Sequence, residues 1–142
     1  MKEGMKILCV PPSMAGAVVA KCGANVARGL SVAPELDPGE VLADLAAGTS
    51  LLWIVLDAKN DLFATVMTEI IEDDGGAVSI FALAGRELHA WAAPLLEKLA
   101  LFAREEGCSK VRFAGRRAWA RVFPNVDIVG EYQGQMIFER AA

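Results

Sequence analysis

The chain has 142 residues, 54% of them hydrophobic and 23% charged, with a formal net charge of −4. That is enough apolar material for the core of one domain spanning 1–142, and too much for a disordered chain. The acidic balance excludes an overall electrostatic footprint for nucleic acid or an anionic membrane, so any such contact has to be local.

Lys6 to Val10 reads as a short first strand. Lys2 and Lys6 before the apolar run Ile7–Ala20 imitate a secretory signal, but Pro11 and Pro12 interrupt the run, Lys21 follows it and Glu3 spoils the basic region. The run is also too short to span a bilayer, so neither a signal peptide nor an anchor is expected. Ser13 is placed to cap a helix running to about Leu30, with Met14, Val18, Val19, Cys22 and Val26 at helical spacing and Gly16, Gly23 and Gly29 weakening it. Cys9, Cys22 and Cys108 are odd in number, without close pairing or metal-ligand spacing to His89, the single histidine. They are expected to be buried small hydrophobes in a reducing cytoplasm, with no metal site.

Asp37-Pro38-Gly39-Glu40 is a helix start: Asp37 caps, Pro38 suits the first helical position, and the Glu40 carboxylate can reach back. Gly48 stops that helix after Ala47. Leu51–Leu56 is a nearly continuous apolar run, a strand buried on both faces. The polar turn Asp57–Asp61 leads to a partner strand Leu62–Ile71, and Asp73-Asp74-Gly75-Gly76 to a third, Ala77–Ala84, predicting an antiparallel meander. A long helix then begins between Leu88 and Trp91, with Pro94 in its first turn or kinking it, and with Trp91, Leu95, Leu99 and Phe102 forming a stripe that packs on the sheet. Gly107 ends it. Lys110–Ala114 is another strand, Arg116–Phe123 a short helix stopped by Pro124, and Val126–Glu139 one or two last strands.

Strand-rich sequence followed by alternating helix and strand predicts an α/β (α+β) fold, a mixed and mostly antiparallel central sheet flanked by helices. From Asp37 to Arg140 the chain resembles the GNAT superfamily of acyl-CoA-dependent N-acyltransferases. The resemblance is best where Arg104-Glu105-Glu106-Gly107-Cys108 leads to Lys110-Val111-Arg112-Phe113 and the Trp119 helix. More narrowly, the texture is similar to short GNAT-like proteins encoded in tailed phages and prophages.

The resemblance implies that the turn before the long helix holds the pyrophosphate of coenzyme A, through an Arg or Gln followed by spaced glycines that let backbone N–H groups approach. The segment here is Leu83-Ala84-Gly85-Arg86-Glu87-Leu88-His89-Ala90-Trp91. Leu83, Gly85 and Arg86 are therefore the candidate cofactor-binding residues. Against them, His89 and Trp91 stand near the glycine positions, and Glu87 adds negative charge. Read without the resemblance, Gly85–His89 is a strand-to-helix connection with Trp91 as a core anchor and His89 partly exposed, which the residues favour. The superfamily's tyrosine acid on the short helix is replaced by Trp119 and Phe123, and the sole tyrosine, Tyr132, lies in the tail. Glu69 as a base is outweighed by its role as an exposed strand carboxylate. No catalytic residue is assigned.

Lys110, Arg112, Arg116, Arg117 and Arg121 fall within twelve residues that contain no acid. Arg117 and Arg121 would share a helical face, Lys110 and Arg112 one side of a strand, and Trp119 would anchor the helix. Arg116, Arg117 and Arg121 form a candidate anion or partner patch, weighed against a solvated edge balanced by Glu105, Glu106, Glu131 and Glu139. The expectation is a non-catalytic interaction or assembly module with a protein partner, no membrane contact and nucleic acid ranked last. The rival is an N-acyltransferase in which acetyl-CoA or another acyl-CoA is attacked by an unknown amine, with strand backbone N–H groups polarising the thioester carbonyl.

Overall fold

A computed structural model describes residues 4–31, 36–72 and 75–142. It contains β1 (Lys6–Val10), a 3-10 turn (Pro12–Met14), α1 (Ala15–Lys21), α2 (Gly23–Ser31), α3 (Pro38–Ala47), β2 (Ser50–Leu56), β3 (Leu62–Ile71), β4 (Ala77–Gly85), α4 (Leu88–Glu105), β5 (Lys110–Gly115), a 3-10 helix (Arg117–Arg121), β6 (Asp127–Tyr132) and β7 (Gln135–Ala141). The seven strands form one sheet in the order β1-β2-β3-β4-β5-β7-β6, so the expected mixed fold with flanking helices is found. Of the expected second polar turn, Asp73 and Asp74 lie outside the described residues. Among the described residues no helix is long and apolar enough to cross a membrane. The chain falls into two compact units, an N-terminal one of residues 2–69 with 81–87 and a C-terminal one of residues 70–80 with 88–142.

In the N-terminal unit β1, β2 and β3 pair antiparallel, Lys6 opposite Leu56 and Ser50 opposite Glu69. The strand run expected at 51–56 is found with Leu52, Trp53 and Val55 buried, and Trp53 Nε1 donates to the buried Thr68 hydroxyl at 2.9 Å, satisfying both polar groups. The capped helix is found as expected: Asp37 accepts from the Gly39 N–H at 2.9 Å, Pro38 opens α3, and Gly48 at φ +83° turns out of it. Only glycine takes that φ without strain, and the turn lets the Gly48 and Thr49 N–H groups reach the Leu45 and Asp44 carbonyls. The helix expected from Ser13 to Leu30 is instead three pieces. Ser13 lies inside the 3-10 turn with Pro11 at the cap position, and Cys22, at φ −103° and ψ 15°, separates α1 from α2. Val10, Val26, Leu30, Val41, Leu45, Leu52 and Met67 form the core of this unit, with Cys22 packed at its edge. Cys9 is exposed and Cys22 half-buried, so of the three thiols only Cys108, in the other unit, is the buried hydrophobe the sequence suggests.

In the C-terminal unit Ala77–Ile80 of β4 runs parallel to Lys110–Phe113 of β5, and β5, β7 and β6 continue antiparallel, so the tail is two strands. The long helix α4 packs on β5. Its stripe is wider than four residues: Trp91, Leu95, Leu96, Leu99, Ala100 and Ala103 are buried, whereas Phe102 is only half-buried. Pro94 is the seventh helical residue, beyond the first turn, where it removes one ladder donor without ending the helix. An aromatic cluster closes the sheet, with Phe113 stacked on Phe138 at 5.1 Å between ring centroids and tilted against Phe123 at 4.7 Å. Lys110 Nζ and Arg112 Nε reach the same Glu139 carboxylate oxygen across the β5–β7 pair, at 3.5 and 2.7 Å.

Candidate functional site

The end of β4 is pressed against β3. A Cβ at Gly85 would overlap Ala64 Cβ and stand 2.6 Å from the Phe63 carbonyl oxygen and 2.8 Å from Ala64 Cα. The glycine is therefore required by strand packing before any ligand is considered. Arg86 follows with its N–H donating to that same Phe63 carbonyl at 3.0 Å. Its guanidinium lies 4.2 Å from the Phe63 ring centroid and pairs with Glu87 at 3.4 Å. Glu87 sits at φ +53°, a left-handed conformation that a non-glycine residue adopts at a cost.

Packing of α2 on β4 completes a cleft that the sequence did not announce. Gly29 lies against the backbone of Leu83, where a Cβ would stand 3.4 Å from the Leu83 nitrogen. One turn earlier on α2, Asn25 and Arg28 reach the β4 end, and with Leu62, Phe63, Gly85 and Arg86 they line an open cleft of about 420 Å³. Arg28 donates to the Asn25 side-chain oxygen. The signal for these two residues was Gly29, a helix-weakening glycine that is useful only where a helix approaches a strand closely. Of the predicted cofactor residues, Gly85 and Arg86 border the cleft, while Leu83 faces the overlying helix with its backbone.

Nearby, the Asp57 carboxylate accepts N–H groups from Lys59 and Asp61 at 2.8 and 2.9 Å and closes the β2–β3 turn. The Asp61 N–H does most to hold its pKa below the ordinary carboxylate value, against a smaller desolvation effect, with help from the Lys59 N–H and then from the charges of Arg86 and Lys59.

Of the two residues expected to crowd the turn, His89 is exposed as the second residue of α4 and Trp91 is fully buried in the C-terminal unit. Trp91 is thus the core anchor expected of a plain connection, and His89 is helical rather than a turn residue. Tyr132 is 63% exposed on β6, and the segment after β5 presents no hydroxyl. Glu69 is exposed at the Ser50 end of β3. Among the described residues no three His, Cys, Asp or Glu side chains are grouped to hold a metal ion.

The basic segment divides in two. Lys110 and Arg112 are both paired with the single carboxylate of Glu139, whereas Arg116, Arg117 and Arg121 are exposed and form no ion pair among the described residues. The helix bearing them is 3-10, not α. At three residues per turn, Arg117 and Arg121 lie about 120° apart and do not share a face. Trp119 is half-buried rather than turned fully inward; its ring covers Gly115 so closely that a Cβ there would overlap it, and Phe123 is the more buried anchor at 1% exposure.

No protein-family model and no curated protein sequence matches the chain. Solved structures do. A GNAT-family acetyltransferase from Listeria monocytogenes 4b F2365 superposes with a TM-score of 0.61 at 9% identity, over 100% of this chain and 98% of the other. The IAA acetyltransferase from Bacillus cereus ATCC 14579 gives 0.64 at 10% identity over 97% and 99%. The ribosomal-protein-S5-alanine acetyltransferase from Vibrio fischeri gives 0.63 at 11% over 99% and 94%. Identities this low speak to architecture alone, and the architecture is end to end that of the GNAT acetyltransferases.

Proposed function

We propose that the chain is a GNAT-fold interaction or assembly module that does not catalyse acyl transfer. The observation that carries this reading is the state of the β4–α4 turn. Gly85 is consumed by packing on Ala64, Arg86 is folded onto Phe63 and paired with Glu87, and Leu83 lies under Gly29 of α2. His89 is exposed in the first turn of α4 and is not a glycine that would open the backbone to a diphosphate, and Glu87 carries negative charge. These residues do not fit coenzyme A. Calorimetric titration of the purified protein with acetyl-CoA is expected to show no binding tighter than about 1 mM, the weak end of specific affinity. Micromolar affinity that is lost on Arg86→Ala would refute the reading.

A second reading, an N-acyltransferase acting on an unknown amine, draws its support from the cleft in which Arg28 joins Arg86. Two guanidiniums are suited to a phosphate-bearing substrate. Release of free thiol from acetyl-CoA with a panel of amines, abolished by Arg28→Ala together with Arg86→Ala, would establish it.

A further inference from the structure

A second hollow, of about 310 Å³, lies in the N-terminal unit on the other side of α2 from the cleft at Arg86. Gly23, Val26, Ala27 and Leu30 line it, and at about 100° per residue they fall in one sector of α2. Asn25 and Arg28, which line the cleft, fall in the opposite sector. Across the hollow stand Val41 and Leu42 of α3. Every described residue that lines it is aliphatic, glycine or proline, with no hydrogen-bonding side chain, aromatic ring or sulfur among them.

Protein interiors leave few voids larger than a water molecule, so a hollow of this size needs a physical reason. One reason is that α2 turns its smallest residues to it. A Cβ at Gly23 would meet no atom within 4 Å, and Ala27, one turn on, fills little of the space. The other is that both helices are held elsewhere and cannot close the gap. α2 is fixed to β4 by Gly29, where a Cβ would stand 3.4 Å from the Leu83 nitrogen, and α3 is fixed by buried Val41 and Leu45 and by packing on α1 and β2.

The lining selects the occupant. Water needs several polar partners, and apolar cavities stay dry. A polar ligand group would give up its hydrogen bonds to water without replacement. An aromatic ring would find no ring or thioether to contact. A straight alkyl chain loses nothing here and gains with each carbon it buries. An engineered apolar cavity of about 150 Å³ takes one benzene ring, so about twice that volume takes about ten to twelve carbons. The hollow is open to solvent and Leu42 of its lining is exposed, so a polar head group attached to the chain stays in water.

We propose that the hollow between α2 and α3 binds the alkyl chain of a small amphiphile, about ten to twelve carbons long, with the head group left in solvent. The proposal goes beyond the module reading and does not depend on it, since no described lining residue belongs to the β4–α4 connection.

Calorimetric titration of the full chain with n-alkyl glucosides from hexyl to tetradecyl, each below its micelle concentration, is expected to show saturable binding. The affinity should rise about fourfold per methylene and stop rising at about ten to twelve carbons. Ala27→Leu adds about three carbons to the lining, so the break should move about three carbons shorter and decyl glucoside should bind about tenfold or more weakly. Gly23→Leu fills the same hollow from a position with open space around its Cβ, keeps the fold and should do the same. Leu101→Ala, at an exposed apolar residue of the C-terminal unit, should leave the affinity within about twofold of the unaltered chain. No binding of any member below about 1 mM overturns the proposal. So does an affinity that climbs to tetradecyl without a break, which is adsorption to apolar surface rather than a site of fixed volume. Binding that both filled variants leave unchanged, or that Leu101→Ala weakens as much as they do, overturns it as well. Tighter binding of 2-naphthyl glucoside than of decyl glucoside would assign the hollow to a ring and equally refute the chain.

Discussion

Gly85→Ala separates two reasons for a glycine at the end of β4. A glycine kept for a ligand can take a methyl group without loss of fold stability; a glycine kept for packing cannot. The added Cβ would overlap Ala64 Cβ and lie 2.6 Å from the Phe63 carbonyl oxygen and 2.8 Å from Ala64 Cα. Two of those three neighbours are backbone, which has no rotamer to move to, and the Phe63 carbonyl also accepts the Arg86 N–H. Overpacking typically costs about 1–3 kcal/mol, and with little room to relax the upper part of that range is expected, about 2–3 kcal/mol. For a chain of this length the unfolding entropy is about 0.3 kcal/mol/K, so the melting temperature should fall by about 7–10 °C. Urea unfolding followed by tryptophan fluorescence should show a lower midpoint at unchanged slope. Gly16→Ala is the control: no atom lies within 4 Å of a Cβ there, and in α1 alanine is expected to stabilise by about 0.5–1 kcal/mol. If Gly85→Ala leaves the midpoint where it was, the packing argument fails.

Leu99→Ala, at a position with no exposure in the middle of α4, should cost about 2–5 kcal/mol in the same urea assay, and a cost below about 1 kcal/mol would mean that the helix does not bury this face. Burial first, then the charges of Glu72 and Glu106, raise the pKa of the Cys108 thiol above its ordinary value of 9.0. The folded chain therefore holds that proton more tightly than the unfolded chain. The thiol's contribution is full below the unfolded value and is lost as pH rises through the folded one, so Cys108→Ala should flatten the decline in stability above about pH 9. Iodoacetamide followed by mass spectrometry should modify exposed Cys9 well before Cys108, and equal rates would contradict this burial.

The strands were legible because each carried its own punctuation. Asp57 both closes the turn after β2 and interrupts the apolar run, and Gly107, at φ +76°, both ends α4 and releases the chain toward β5. The helix expected at 13–30 breaks at Cys22, which fits the helical spacing and so gave no sign of the break, and of its glycines only Gly29 has a tertiary neighbour, Leu83, fifty-four residues later, which no helical period contains. For the same reason Asn25 and Arg28 were absent from the candidate site, since their approach to Arg86 depends on how α2 packs. The 3-10 form of Arg117–Arg121 was equally hidden, because a five-residue segment satisfies either helical period. The contacts that accompany it, the Trp119 ring lying on Gly115 and the burial of Phe123, are tertiary. The narrower likeness to phage-encoded proteins rests on residue texture, to which the structural neighbours do not speak.

A fold of this kind does not by itself fix a ligand chemistry, because its cores lie largely away from the connection between β4 and α4. The N-terminal unit closes around Leu45, Leu52 and Met67, and the C-terminal unit around Trp91, Leu99, Phe113 and Phe138. Except for Trp91, which is buried in the first turn of α4, none of these belongs to the connection between β4 and α4. Burial of Trp91 strengthens the helix's hold on its unit. A glycine in that turn would weaken α4 by about 1 kcal/mol. Arg86 alone, folded onto Phe63, serves either purpose, which is why the acetyl-CoA titration rather than the fold decides between an interaction module and an enzyme.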